Sequence, residues 1–239
     1  MKTTNKFLKL LVLVFAITFA ACSNNNDDIL EEEELSEIVM QDFADDIQNM
    51  SVPTGLANSN NQYAQQANAQ FEALKSLGTS FASLFTIPAN ATSAKSSSKT
   101  ASKSTILSTK TYTWSSGDTT INYTISEESD RYSFTYNIVS SSFTGKLMDG
   151  YQLKDGSYAQ ANLYSDNQLV STIKWTVTET TTKIELDSDG YRFVLESNNS
   201  DNSGTLKLYE SSTLYATYLW NANGSGTYTD HINNETYSW

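Results

Sequence analysis

The sequence predicts a mainly β protein: an antiparallel, repetitive β-meander, curled or closed into a barrel, preceded by a short helical hairpin. Three observations predict it. First, 13 of the 14 Tyr and all four Trp lie in residues 107–239, a stretch rich in Thr, Ser and Val and free of Pro, which is strand composition. Second, apolar residues alternate with polar ones there, as in Ile121-Tyr123-Ile125, Tyr132-Phe134-Tyr136-Ile138, Ile173-Trp175-Val177, Tyr191-Phe193-Leu195 and Leu206-Leu208, the period of a half-buried strand. Third, turn signals such as Ser116-Gly117-Asp118, Lys154-Asp155-Gly156, Asp187-Ser188-Asp189-Gly190 and Asn223-Gly224 punctuate the stretch. Connections that short join neighbouring antiparallel strands, and ten to twelve strands fit the length.

In chain order, the first element is a leader. Lys2, Lys6 and Lys9 precede an apolar run over Leu10–Ala20 and then Ala21-Cys22. That order of charge, apolar core and small residues is a secretory signal, and the run is shorter than the roughly 20 residues a membrane span needs. The segment Phe19-Ala20-Ala21-Cys22 holds the only Cys of the chain and resembles the lipobox of bacterial lipoproteins, with Phe19 where Leu is usual. The resemblance implies cleavage after residue 21 and acylation of Cys22, and two or more acyl chains make membrane attachment durable. The following Ser23-Asn24-Asn25-Asn26-Asp27-Asp28 and Glu31–Glu34 resemble the export signal of surface lipoproteins in Bacteroidota, which implies the outer face of the outer membrane. Read without that resemblance, residues 22–34 are an acidic, self-repelling tether.

Residues 35–88 read as the helical hairpin. Leu35, Ile38, Val39, Phe43, Ile47 and Met50 form one apolar stripe, and Val52-Pro53-Thr54-Gly55 ends it. A second stripe runs Tyr63, Ala67, Phe71, Leu74, Leu77, Phe81, Leu84, Phe85 up to Pro88, with Asn60 as the expected cap and Gly78 as a point where the helix could break. Neither stripe can be buried alone, so the helices should pair or lie on the later sheet. Residues 89–106 are Ser-, Lys- and Ala-rich and read as a flexible linker.

The β region, residues 107–239, also repeats. Leu163-Tyr164, Leu169, Thr172 and Trp175 recur 45 positions on as Leu208-Tyr209, Leu214, Thr217 and Trp220. Tyr132-x-Phe134 with Gly145 recurs 59 positions on as Tyr191-x-Phe193 with Gly204, and a Trp precedes each Tyr-x-aromatic pair, the last being Tyr237-x-Trp239. The expected unit therefore occurs three times, with variable inserts.

Charge and composition bound the function. The chain carries 15 basic and 27 acidic residues, and loss of the leader leaves 12 and 27, a formal charge of −15. Such a chain is a poor nucleic-acid partner. One Cys excludes an intramolecular disulfide framework, and one His excludes a multi-histidine zinc site. No nucleophile elbow, phosphate-binding loop or zinc-protease helix occurs, and no cofactor is implied. A triad would depend on His231 alone. The reading that follows is a lipid-anchored, non-catalytic binding or scaffolding module of the cell envelope, with a glycan or an outer-membrane protein as partner. Trp114, Trp175, Trp220 and Trp239 are its candidate ligand-binding rings, because Trp and Tyr stack on sugars. The recurrence of Trp114, Trp175 and Trp220 in register favours core positions for these three, whereas Trp239 lies outside that position and is more open to a binding role. The alternative is a polymer hydrolase built on paired carboxylates from Glu127, Glu128, Asp130, Asp187 and Asp189. Asp187-x-Asp189-Gly190 is too short a set for a calcium loop, and Asp118-Thr119-Thr120 resembles a short O-glycosylation signal of Bacteroidota.

Overall fold

The computed structural model describes residues 41–85, 87–96 and 106–239, so Cys22, the tether and the first turn of the predicted first helix lie outside the described residues. Three helices come first: α1 (Gln41–Asn49), α2 (Thr54–Ala57) and α3 (Gln62–Ala82), which ends in a 3₁₀ turn over Ser83–Phe85. Thirteen strands follow: β1 (Thr92–Ser96), β2 (Ile106–Ser116), β3 (Thr119–Glu128), β4 (Arg131–Val139), β5 (Thr144–Leu153), β6 (Tyr158–Ser165), β7 (Gln168–Val177), β8 (Thr181–Ser188), β9 (Tyr191–Asn198), β10 (Gly204–Glu210), β11 (Thr213–Trp220), β12 (Gly226–Asp230) and β13 (Glu235–Ser238). They form one antiparallel meander in strict chain order, open between β1 and β13.

The first and third helices form where the stripes predicted, while Thr54 and Gly55, expected in a turn, open the short α2. Asn61, not Asn60, caps α3, its side chain accepting the Tyr63 N–H at 2.9 Å. Gly78 does not break the helix. A Cβ there would stand 3.0 Å from two carbons of Ile47, so the residue lets α1 and α3 touch. The two pack antiparallel, and the Lys75 ammonium donates to the Met50 carbonyl just past the end of α1, satisfying an acceptor that helix ends leave open.

Alternate residues of each strand face the helices. Ile121, Tyr123 and Ile125 on β3, Ile173 and Trp175 on β7, and Leu206 and Leu208 on β10 are all buried, in one core with Phe43, Ile47, Phe71, Phe81 and Phe85. Each such side chain contributes about 1.5–3 kcal/mol relative to exposure, so helices and sheet stabilise each other. The sheet curls around α3. Phe81 meets Trp175 on β7 at 5.6 Å, while Phe85 meets Tyr123 on β3 at 6.2 Å and Phe134 on β4 at 4.8 Å. Four residues advance a helix by only about 6 Å, whereas three to four strands of flat sheet span about 14–19 Å. Phe81 and Phe85 lie 5.8 Å apart, and bowing of the sheet shortens the span their rings must bridge. Bulges at Tyr136/Asn137, Leu163/Tyr164 and Leu208/Tyr209 add the local twist that bowing needs.

The 45-residue repeat is a duplicated hairpin. β6–β7 and β10–β11 share the bulge, at Leu163/Tyr164 and Leu208/Tyr209. They also share a two-residue turn with both φ positive, Asp166-Asn167 (51° and 61°) and Ser211-Ser212 (46° and 74°). The first expected unit, that of Trp114, is not equivalent. β2, which carries Trp114, runs opposite to β7 and β11 in the meander, so Trp114 stands at the other end of the strands. Residues 92–96, expected as linker, pair with β2 from Thr92↔Thr113 to Ser96↔Thr109. Their Ser- and Lys-rich sequence is tolerated because edge pairing needs only backbone.

Candidate functional site

The predicted Trp residues do not form one open face. Trp175 and Trp220 are each 1% exposed, and their rings are occupied by Phe43 and Phe81 (Trp175) and by Phe71 (Trp220). Neither can offer a face to a ligand in solution, which corrects the platform reading for these two. Trp114 is half-buried and packs edge-on against Tyr136 at 5.7 Å. Trp239 is half-buried too, its indole N–H donating to the Gly224 carbonyl at 2.7 Å and its backbone pairing with Gly226.

The candidate carboxylates divide between opposite ends of the strands. Glu127, Glu128 and Asp130 gather at the β3–β4 turn, while Asp187 and Asp189 sit at the far end, on β8 and its following turn. Lys154 bonds Glu127 at 2.8 Å and holds its carboxyl below the usual range. Arg131 does the same for Asp130, and Ser133 donates to Glu128 at 2.8 Å. A general acid needs the reverse shift. Among the described residues no group of three or more His, Cys, Asp or Glu could hold a metal ion. His231 is exposed and shares a 2.9 Å hydrogen bond with Thr217.

What the fold does assemble is a polar strip on the convex face of β5–β7. Register sets Asp149 beside Asn162, and Asn162 beside Thr172. On β6 the positions between the buried Ala159, Ala161 and Leu163 point outward as Tyr158, Gln160, Asn162 and Tyr164. Their side chains form a continuous chain. The Tyr158 hydroxyl donates to Gln160 Oε1 at 3.1 Å, and Gln160 Nε2 donates to Asn162 Oδ1 at 3.1 Å. Asn162 Nδ2 donates to Asp149 Oδ1 at 2.9 Å, the Tyr164 hydroxyl reaches Asp149 Oδ2 at 3.1 Å, and Thr172 donates to Asn162 Oδ1 at 3.0 Å. Lys146 closes the strip, ion-paired to Asp149 and lying 3.9 Å from the Tyr164 ring centroid. At the other end Tyr151 and Tyr158 lie 5.7 Å apart, with Arg131 over the Tyr151 ring at 4.8 Å.

The electrostatics favour an ionised, ordered strip. Burial would raise the Asp149 carboxyl, but donors from Lys146, Asn162 and Tyr164 outweigh it and hold the pKa below the usual range. Burial, followed by the neighbouring Tyr151, pushes the Tyr158 hydroxyl up to about 12. Lys146 and Asp149 keep 34% and 26% of their side-chain exposure, so water or a ligand reaches them. Spare capacity remains: the carboxylate has further lone pairs, Gln160 a second N–H and each phenol an acceptor. The sequence carried a signal for this strip, the period-two run Tyr158-x-Gln160-x-Asn162-x-Tyr164, but its partners on β5 and β7 depend on register and a bulge. Compared with models of known protein families and with curated proteins, the chain matches none.

Proposed function

We propose that the protein is a lipid-anchored module of the bacterial cell envelope, held to the outer membrane through Cys22 and facing the cell exterior, that binds a hydroxyl-rich ligand such as a glycan without transforming it. The observation that carries the binding reading is the convex strip from Tyr158 to Lys146, where amide, carboxylate and phenol groups are preordered and half-exposed. Preordered polar groups bind hydroxyls without a further ordering cost, and sheet faces of this kind can hold extended polymers. The anchor reading rests on the leader and on Cys22 as the one thiol of the chain.

A glycan-array screen of the full chain tests the binding role. Wild type should bind, and Asn162→Ala, which cuts the strip between Gln160 and Asp149, should weaken binding at least tenfold with the melting temperature little changed. Equal binding by that variant removes the strip from the reading. Mass spectrometry of the native product tests the anchor: an acylated Cys22 at the N-terminus supports it, a free thiol or uncleaved leader rejects it. Labelling of intact cells with a membrane-impermeant reagent tests the outward orientation, which labelling only after lysis rejects.

A further inference from the structure

The duplicated hairpin carries two different sets of outward side chains. The copy extends to the strand before it, since Met148 pairs with Leu163 and, 45 positions on, Phe193 pairs with Leu208. In the first copy one rung reads Asp149, Asn162, Thr172, the centre of the convex strip. In the second the same rung reads Val194, Lys207, Thr217. A cation over a tyrosine ring persists, Lys146 at 3.9 Å from Tyr164 and Arg192 at 4.1 Å from Tyr209. The carboxylate does not. The ion pair of Lys146 and Asp149 gives way to Arg192 and Lys207, with Val194 where the acid stood.

These cations are uncommitted. Arg131, Lys146, Lys154 and Lys183 each hold a carboxylate. Among the described residues, no hydrogen bond or ion pair engages Lys174, Arg192 or Lys207. Arg192 Nε is buried without a partner, and the guanidinium lies over Tyr209 rather than on Asp187, its register neighbour on β8. All three alternate with inward residues of β7, β9 and β10, so they share the convex face with the strip.

Register aligns Gln160, Lys174, Glu185, Val194 and Lys207 across β6–β10, and Lys183 takes the Glu185 carboxylate at 2.7 Å. Arg192 is diagonal to Lys207, about 7–8 Å away, so both heads reach one anionic group. An arginine stacked on a ring keeps its in-plane donors for a carboxylate or a sulfate. Acidic partners are plentiful in a chain with 27 Asp and Glu, so three cations left without one on a single face call for a counter-charge from outside. We propose that the ligand of the convex face is an acidic glycan, its hydroxyls on the Tyr158–Lys146 strip and its carboxylate or sulfate groups on Lys174, Arg192 and Lys207. This rests on the glycan reading of the strip and adds the ligand's charge to it. From β6 to β10 is four strand spacings, about 19 Å, so the ligand is an extended oligosaccharide and not a single sugar.

The test is binding of the full chain to an array of acidic oligosaccharides, each beside its carboxyl-reduced or desulfated neutral form. Wild type should bind the acidic forms about tenfold or more tightly than the neutral ones, and the neutralisation that acts separates a carboxylate from a sulfate. The double variant Arg192→Gln/Lys207→Gln should lower acidic binding to the neutral level while binding the neutral forms as wild type does. Asn162→Ala should weaken both forms. Lys154→Gln, a charge removed at the β5–β6 turn, should keep the preference. No preference for the acidic forms, a preference that the double variant keeps, or one that Lys154→Gln loses as fully, overturns the acidic ligand and leaves the strip standing. No binding to any glycan overturns both.

Discussion

At the residue scale, tyrosine hydroxyls and one carboxylate set the pH limits of the fold. Tyr63 of α3 packs against Tyr228 and Tyr237, at 4.9 and 4.7 Å, those two rings lying 6.2 Å apart, and the Tyr218 hydroxyl donates to Gln66 at 3.1 Å. Burial, then the neighbouring Tyr228, pushes Tyr218 up to about 12, against about 10 in an unfolded chain. A raised pKa means stability fully present below pH 10 and lost as pH rises toward 12. The melting temperature should therefore fall over that window. Tyr218→Phe should start about 1 kcal/mol less stable at pH 7, from the lost hydrogen bond, and decline less steeply. Asp149 works in the opposite sense. Its lowered pKa gives stability present above about pH 4 and lost as pH falls through its folded value. Asp149→Asn should flatten the acid limb of the same profile; an unchanged limb would place the acid sensitivity elsewhere.

At the element scale, three strands carry a Trp at or next to their C-terminal end, beside a small residue on the strand before. Ala159 pairs with Trp175, Gly204 with Trp220, and Gly226 with Trp239. A Cβ on Gly204 would stand 2.6 Å from the Trp220 ring, and one on Gly226 2.4 Å from the Trp239 ring. The spacing of the Trp residues was legible in the sequence, but this rule was not, because the small partners become neighbours only through register. For the same reason the repeat was read as three units, though a strand's direction in the sheet depends on how many strands separate it from its copy. The alternation of Ile121-Tyr123-Ile125 and the helical stripes were legible outright, since burial on one face leaves a period that no other element shares. β1 was not, having no apolar face to announce it. The β11–β12 turn also depends on a close approach. Gly224 has φ +86°, and a Cβ there would stand 2.2 Å from the backbone nitrogen of Leu56 on α2. Gly224→Ala should cost at least about 2 kcal/mol, read as a lower urea midpoint.

At the scale of the whole molecule, helices and sheet share one core, so they should unfold together. Residues 106–239 alone would expose the concave face with Tyr123, Trp175 and Trp220. Such a fragment is expected to aggregate or to bind hydrophobic dyes, while the full chain melts in one transition. A soluble fragment with a cooperative melt would show instead that the sheet closes on itself. Both edge strands are short, five residues in β1 and four in β13, which limits edge-to-edge association.

The clasp around Tyr63 has a consequence for biogenesis. Hairpin pairing needs only neighbouring segments, so most of the meander can zip up as the chain emerges. The ring cluster joins position 63 to position 237, 174 positions apart. This lock therefore waits until position 237 has been made, and a chain still being delivered stays open at Tyr63 until then.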